Sequence, residues 1–298
     1  MTSKLLVVGC SQGKALGKLL ASNLKAEYSD LHSVKYPDGE TLVRFKQKLV
    51  GRKVLVVQTM HPSPNDSLVE LLFALNTARE LGAGKICAVV PYFAYARQDK
   101  RFNDGECVSN KIVAGMIEHA GADAFVTVTT HLHRISTLSE VFSIPAVNVL
   151  LTKEVADYAS AKLHSTLVVG PDWESGPLVR DVALRLGVEQ FVFKKKRLSG
   201  TRVKNFEAGG LDCKGERILL LDDMASTGNT LISVAKILKK QGAKKVDCTV
   251  VHLLDDEGGR KILKNGIDSI ACSNSIERKF SKIDCSRQLA FAIERLGF

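Results

Sequence analysis

One pattern occurs twice in this chain, and it constrains the fold more than any other feature. Val54-Leu55-Val56-Val57-Gln58-Thr59-Met60 parallels Ile218-Leu219-Leu220-Leu221-Asp222-Asp223-Met224. Each apolar run leads into a helical pattern, at residues 68–81 and 231–240. Each helical pattern stops at a Gly-Ala turn, Gly82-Ala83 and Gly242-Ala243, because glycine readily takes the left-handed backbone that closes a helix. Each turn feeds another apolar run, at 86–90 and 246–251. Further runs at 5–8, 125–128 and 167–169 alternate with helical stretches in the same way. Strands without polar alternation are buried on both faces, so the expected class is α/β, with mainly parallel sheets covered by helices on both faces. The duplication predicts two related units, residues 1–148 and 149–298, with the last helix available to pack back on the first unit.

Composition narrows the function classes. With 45% apolar and 25% charged residues, wholesale disorder and fibrous repeats are excluded. The net charge of +10 favours an anionic partner, such as a phosphate ligand, nucleic acid or a membrane surface, or else a solvated basic surface. No apolar run approaches the roughly 20 residues of a membrane helix. Residues 4–9 are shorter than the roughly 7–15 residues of a signal core and read as a first buried strand. The seven cysteines are widely spaced with no C-x-x-C pair, which suits neither zinc nor a disulfide framework. A cytoplasmic location is expected, with no membrane and no nucleic-acid partner, since no recognition motif accompanies the charge.

The second copy of the repeat differs from the first where chemistry is concerned. An apolar strand ends in Asp222 and Asp223, and Ser226-Thr227-Gly228-Asn229-Thr230 then opens a helix. Ligands of open α/β sheets bind at the carboxyl ends of strands. A loop of hydroxyls and backbone N–H groups at a helix N-terminus suits phosphate, and two acids can accept hydrogen bonds from vicinal sugar hydroxyls. A helix cap alone would need one Ser or Thr. Pro91-Tyr92-Phe93-Ala94-Tyr95-Ala96-Arg97-Gln98-Asp99-Lys100-Arg101 also follows an apolar strand, and its cations can grip a polyphosphate. Read alone, it is equally a solvated basic loop.

Together these segments resemble the ribose-phosphate diphosphokinases, also called phosphoribosyl diphosphate synthetases. Asp222 to Thr230 resembles the phosphoribosyl-binding loop that they share with phosphoribosyltransferases, and Pro91 to Asp99 resembles their ATP-binding segment. Tyr36-Pro37-Asp38-Gly39-Glu40, Gly170-Pro171-Asp172 and Lys194-Lys195-Lys196-Arg197 with Arg202-Val203 resemble three further motifs in the same order. The resemblance implies two tandem phosphoribosyltransferase-type domains. It implies Mg²⁺-dependent transfer of the diphosphoryl group of ATP to O1 of ribose 5-phosphate, giving phosphoribosyl diphosphate and AMP. By resemblance, Tyr36, Asp38, Glu40, Arg97, Gln98, Asp99 and Arg101 contact ATP, the 36–40 loop reaching a neighbouring subunit's site in a homo-oligomer. Asp222, Asp223, Ser226, Thr227, Gly228, Asn229 and Thr230 hold ribose 5-phosphate. Lys195 and Arg197 close over the transferring group, and His131 and Asp172 contact Mg²⁺.

The chain departs from the family at two places. The family has Asp-x-His after the strand at 125–128, where this chain has Thr129-Thr130-His131-Leu132-His133. Counting forward from Thr129 gives the metal role to His131, whereas counting back from Ile144-Pro145 favours His133; the forward count is adopted. Trp173-Glu174-Ser175-Gly176 replaces a glycine-rich run, and Trp173, the single tryptophan, is expected to pack beneath the helix that follows. Two other readings remain: a catalytically silent, regulatory relative of the synthetase, motivated by Thr129, and a phosphoribosyltransferase, which leaves the 91–101 segment unused.

Overall fold

The computed structural model describes residues 5–132, 134–197, 204–207 and 211–298, with the side chains of 195–197 and 204–207 excepted. The chain divides into two compact units, Met1–Val149 joined by Cys285–Phe298, and Leu150–Asp284.

The first unit runs β1 (Leu6–Gly9), α1 (Lys14–Asn23), β2 (Glu27–Asp30), β3 (His32–Lys35), β4 (Thr41–Arg44), β5 (Lys53–Val57), α2 (Pro64–Glu80), β6 (Lys85–Val89), α3 (Ser109–His119), β7 (Ala124–Val128) and β8 (Ala146–Val149). Its sheet has the order β2-β1-β5-β6-β7-β8, every pair parallel. The apolar runs foreseen at 5–8, 54–57, 86–90 and 125–128 are its four central strands. The edge strands β2 and β8 and the antiparallel hairpin β3–β4 carry mixed polarity and show no continuous run. One core is built around Phe125, whose ring stacks on Phe142 at 4.2 Å and meets Phe93 edge-on at 5.2 Å.

The second unit runs α4 (Thr152–Lys162), β9 (Leu167–Gly170), α5 (Gly176–Leu186), β10 (Glu189–Val192), β11 (Lys194–Arg197), β12 (Lys204–Glu207), β13 (Arg217–Ala225), α6 (Asn229–Lys240), β14 (Lys245–Leu253), α7 (Asp256–Lys264), β15 (Ser269–Ser273) and β16 (Ser281–Ile283). Its parallel sheet has the order β10-β9-β13-β14-β15-β16, the same winding as the first. β11 and β12 pair as a separate antiparallel ribbon. The final helix, α8 (Ser286–Arg295), packs on α1, β7 and β8 of the first unit.

β13 departs from the expectation that the strand stops at its two acids. It continues through Ala225, because β14 is equally long and pairs Met224 with His252 and Ala225 with Leu253. Asp222 and Asp223 therefore lie within the strand instead of at its end.

Among the described residues, no helix is long and apolar enough to cross a membrane. The cysteines are all free, and Cys107 alone is exposed. Burial pushes the Cys10, Cys87 and Cys248 thiols well up, and Cys272 to about 11. The thiolate is the reactive form, so a thiol-specific disulfide reagent should modify one cysteine rapidly in the native protein and the rest only on unfolding. Fast reaction of several thiols before unfolding would contradict this packing.

Candidate active site

In each sheet the strand order reverses once. The chain passes from β1 outward to β2, then returns to the other side of β1 for β5; β9, β10 and β13 repeat the move. At such a switch point the loops leaving adjacent strands diverge, and a crevice opens at their carboxyl ends. The two switch points, β1/β5 and β9/β13, can be compared residue by residue.

At the second switch point, β9 ends in Gly170 and delivers Pro171 and Asp172, while β13 carries Asp222 and Asp223. Asp172 is 5% exposed, and one of its oxygens accepts from Glu174 N–H at 3.1 Å, capping the turn that begins α5. Asp223 is buried, Asp222 half-buried, and Asp223 N–H donates to Asp222 Oδ1 at 3.0 Å. The loop then exposes Ser226 and Thr227, turns at Gly228 in left-handed backbone (φ 70°), and starts α6 at Asn229. Thr230 is half-buried in the first turn of that helix. The opening of α6 has no acidic residue in its first turn and no side-chain cap on its N–H groups. Those N–H groups and the positive end of the helix dipole make an anion seat.

The first switch point has been closed by its own side chains. Gln58 and Thr59 stand where Asp222 and Asp223 stand in the second copy. Glu70 of α2 is 4% exposed and accepts from Ser11 N–H (3.1 Å), Ser11 Oγ (2.5 Å) and Gln58 Nε2 (2.6 Å). Gln12 N–H donates to Gln58 Oε1 at 3.0 Å. The loop lies so close to β5 that a Cβ on Gly13 would stand 1.9 Å from Val57 O. A buried carboxylate with three donors is satisfied where it is, and the crevice holds it in place of a ligand.

The first unit instead offers the segment after β6. Arg97, Gln98 and Arg101 are exposed, while Phe93 is anchored in the core. Gln98 is oriented from two sides: Ser109 Oγ donates to its Oε1, and its carbonyl accepts from Asn110 N–H at 3.3 Å at the start of α3. Asp99, expected to contact ATP, is turned inward in this structure. Its side chain is fully enclosed, with Oδ1 and Oδ2 at 3.0 and 3.2 Å from Arg134 Nη1. A carboxylate buried against a guanidinium acts on a ligand only through that partner, which places Arg134 beside the segment. Tyr36, Asp38 and Glu40 occupy the tip of the β3–β4 hairpin, exposed and held by Glu40 N–H to Asp38 Oδ1 at 3.0 Å and Tyr36 N–H to Glu40 O at 2.8 Å.

His131 is buried just beyond β7, where Thr129 takes left-handed backbone (φ 36°) that a β-branched residue rarely adopts. His133, Arg202 and Val203 lie outside the described residues, as do the side chains of Lys195 and Arg197 on β11. Among the described residues no group of three His, Cys, Asp or Glu side chains could hold a metal ion alone. Mg²⁺ needs no such cage: it keeps several waters and binds through one or two carboxylates plus substrate phosphates. The oxygen donors of Asp172, Asp222 and Asp223 fit that mode, whereas the His131 imidazole is a poorer donor for this ion. Trp173 does not pack beneath a helix; it is 56% exposed, because the chain enters α5 through a short turn that turns the indole outward.

Parallel doubly wound sheets with a carboxylate pair and a glycine-turned phosphate loop define the phosphoribosyltransferase type of fold. Residues 5–121 match the N-terminal domain of ribose phosphate pyrophosphokinase, and residues 141–284 match the phosphoribosyl transferase domain. The ribose-phosphate pyrophosphokinase of Methanopyrus kandleri is 37% identical, over 98% of this chain and 100% of that protein. That of Methanobrevibacter smithii is 33% identical, over 96% of this chain and 98% of its own length. The crystal structure of phosphoribosylpyrophosphate synthetase from Mycobacterium smegmatis aligns with a TM-score of 0.87 at 25% identity, over 99% of each chain. The chain belongs to the ribose-phosphate pyrophosphokinase family and is an enzyme of that family.

Sequence reasoning missed Arg134 and Glu70. Arg134 sits one residue past the His131–His133 pattern, and its carboxylate partner is 35 residues away. Glu70 looks like an ordinary polar position of an amphipathic helix. Trp173 adjoins Asp172, so binding of a sugar phosphate at this switch point should change the protein's tryptophan emission. Emission unaltered by saturating ligand would move the ligand away from β9.

Proposed function

We propose that the enzyme transfers the diphosphoryl group of ATP to O1 of ribose 5-phosphate, giving 5-phosphoribosyl 1-diphosphate and AMP. The observation that carries this reading is the contrast between the two switch points. One is lined by Asp172, Asp222, Asp223 and a phosphate loop, and the other is filled by Glu70 and Gln58. One sugar-phosphate seat among the described residues, in the second unit, and a cationic segment at Arg97 to Arg101 in the first suit one phosphorylated sugar and one nucleotide.

Asp222 and Asp223 accept hydrogen bonds from the ribose 2- and 3-hydroxyls. The N–H groups and hydroxyls of Ser226 to Thr230 receive the 5-phosphate. O1 then attacks the β-phosphorus in line. The O1–Pβ bond forms, the bond from Pβ to the α,β-bridging oxygen breaks, and AMP leaves with that oxygen while the O1 proton passes to solvent. Phosphoryl transfer asks little covalent help of a protein; it depends on alignment and on charge stabilisation of the moving group. Arg97, Arg101, Lys195 and Arg197 supply cations, Gln98 orients the nucleotide, and the Asp99–Arg134 pair stiffens the segment that bears them. Asp172, with phosphate oxygens, would hold Mg²⁺, which neutralises phosphate charge when bound. The exposed tip at Tyr36, Asp38 and Glu40 supports a nucleotide site shared between subunits of a homo-oligomer.

The deciding experiment measures AMP release from ATP and Mg²⁺ with and without ribose 5-phosphate. AMP formed only with the sugar phosphate supports the transfer. Binding of both substrates without AMP would favour a silent regulatory relative, a reading that the strained Thr129 motivates. Asp223→Asn should weaken ribose 5-phosphate binding by about tenfold or more, the scale of a lost charge-assisted hydrogen bond; unchanged calorimetric affinity would remove Asp223 from the site. Lys195→Ala should lower kcat by roughly 10²–10³-fold with little change in KM for ATP. A loss confined to KM would deny it a transition-state role.

A further inference from the structure

The phosphate loop is not self-supporting, and what supports it is helix α7. Three contacts show this, each at a different residue of the loop. Ser226 presents its carbonyl to Gly258 so closely that a Cβ there would stand 2.1 Å from the oxygen. Gly228, in left-handed backbone, is roofed by Ile262, whose Cγ1 would lie 2.4 Å from a Cβ on that glycine. Lys261 Nζ donates to Asn229 Oδ1 at 2.8 Å across 32 residues of sequence. Gly258, Lys261 and Ile262 lie at successive spacings of three and one on α7, so one edge of the helix meets the loop from Ser226 to Asn229.

The chemistry of the third contact is directional. An ammonium has donors only, so it fixes which end of the Asn229 amide faces it. With Oδ1 held by Lys261, the Nδ2 donors are aimed away from α7. Asn229 is the first residue of α6, where the helix N–H groups are open and an anion is favoured. Left alone, the amide could present either its acceptor or its donors to an anion, and the acceptor would repel it.

We infer that Lys261 is a positioning residue for the phosphate loop: by holding Asn229 Oδ1 it turns the Asn229 amide donors toward the bound 5-phosphate. The inference rests on the reading of Ser226 to Thr230 as the 5-phosphate loop. Lys261 is exposed and outside the core, so its substitution tests the idea without unfolding the unit. Gly258 and Ile262 set the backbone of the same loop and are less suited to that purpose, because both are buried.

The test is a double-mutant cycle of Lys261→Met and Asn229→Ala, read by calorimetric binding of ribose 5-phosphate and by steady-state kinetics on the full-length protein. Lys261→Met is expected to weaken ribose 5-phosphate binding about three- to tenfold, leaving kcat and KM for ATP within twofold. Lys261→Arg, which keeps the donor, should restore most of the affinity. In the Asn229→Ala background, Lys261→Met should have no further effect, because the residue through which it acts is gone. Equal losses in both backgrounds would overturn the inference and show that Lys261 acts on the ligand's charge directly. No loss from Lys261→Met alongside a loss from Asn229→Ala would overturn it as well. If wild-type protein fails to bind ribose 5-phosphate at all, the 5-phosphate reading of the loop fails first, and the inference falls with it.

Discussion

Parallel pairing is the constraint on which the rest of this structure depends. Every pair in both six-stranded sheets is parallel. Parallel neighbours cannot be joined by a tight turn, so each connection crosses a face of the sheet, usually as a helix. All strand ends of one polarity then gather at one edge, and the reversal of order after β2 and after β10 leaves one crevice in each sheet. The chain thereby acquires two potential sites from a single rule of connection. What separates them is a few side chains at equivalent places: aspartates and a left-handed glycine at and just after β13, an amide, a hydroxyl and a buried glutamate around β5. Filling a crevice with Gln58 and Glu70 leaves the backbone winding intact while removing the seat.

The central strands were legible because burial on both faces leaves a mark in sequence that needs no tertiary information. Runs such as 54–57 and 218–221 admit few other interpretations once Gly-Ala turns and helices follow them. The edges were less legible. β2 and β16 are short and half-polar, and β3–β4 owes its pairing to a five-residue turn and not to an apolar pattern. The acids at 222 and 223 were visible as a pair, but their inclusion in β13 depends on the length of β14, a property of a neighbour about thirty residues away.

The candidate site was legible wherever one short segment carries several chemical groups, as at Ser226 to Thr230. It was illegible wherever a group acts through a distant partner. Asp99 reads as a ligand contact from its place beside Arg97 and Gln98, yet its carboxylate is enclosed by Arg134. Lys261 reads as one of the two lysines of α7, and only the fold brings it to Asn229. Trp173 reads as a core residue by its type, and a three-residue turn turns it outward. Local pattern conveys which chemistry is present; orientation comes from packing.

The placement of α8 gives the two units different standing during synthesis. The second unit is a continuous piece of chain, Leu150–Asp284, and all its strands have emerged once that piece is made. The first unit is interrupted: its helix α8 follows the whole of the second unit in the chain, yet Asn23 of α1 donates to Ser286 Oγ at 2.8 Å, and Lys85 Nζ donates to Leu296 O at 2.7 Å. Domains generally fold as units, in the order in which they emerge. Here the unit whose sheet precedes the other in the chain gains its α8 contacts only after the other's last strand has been made.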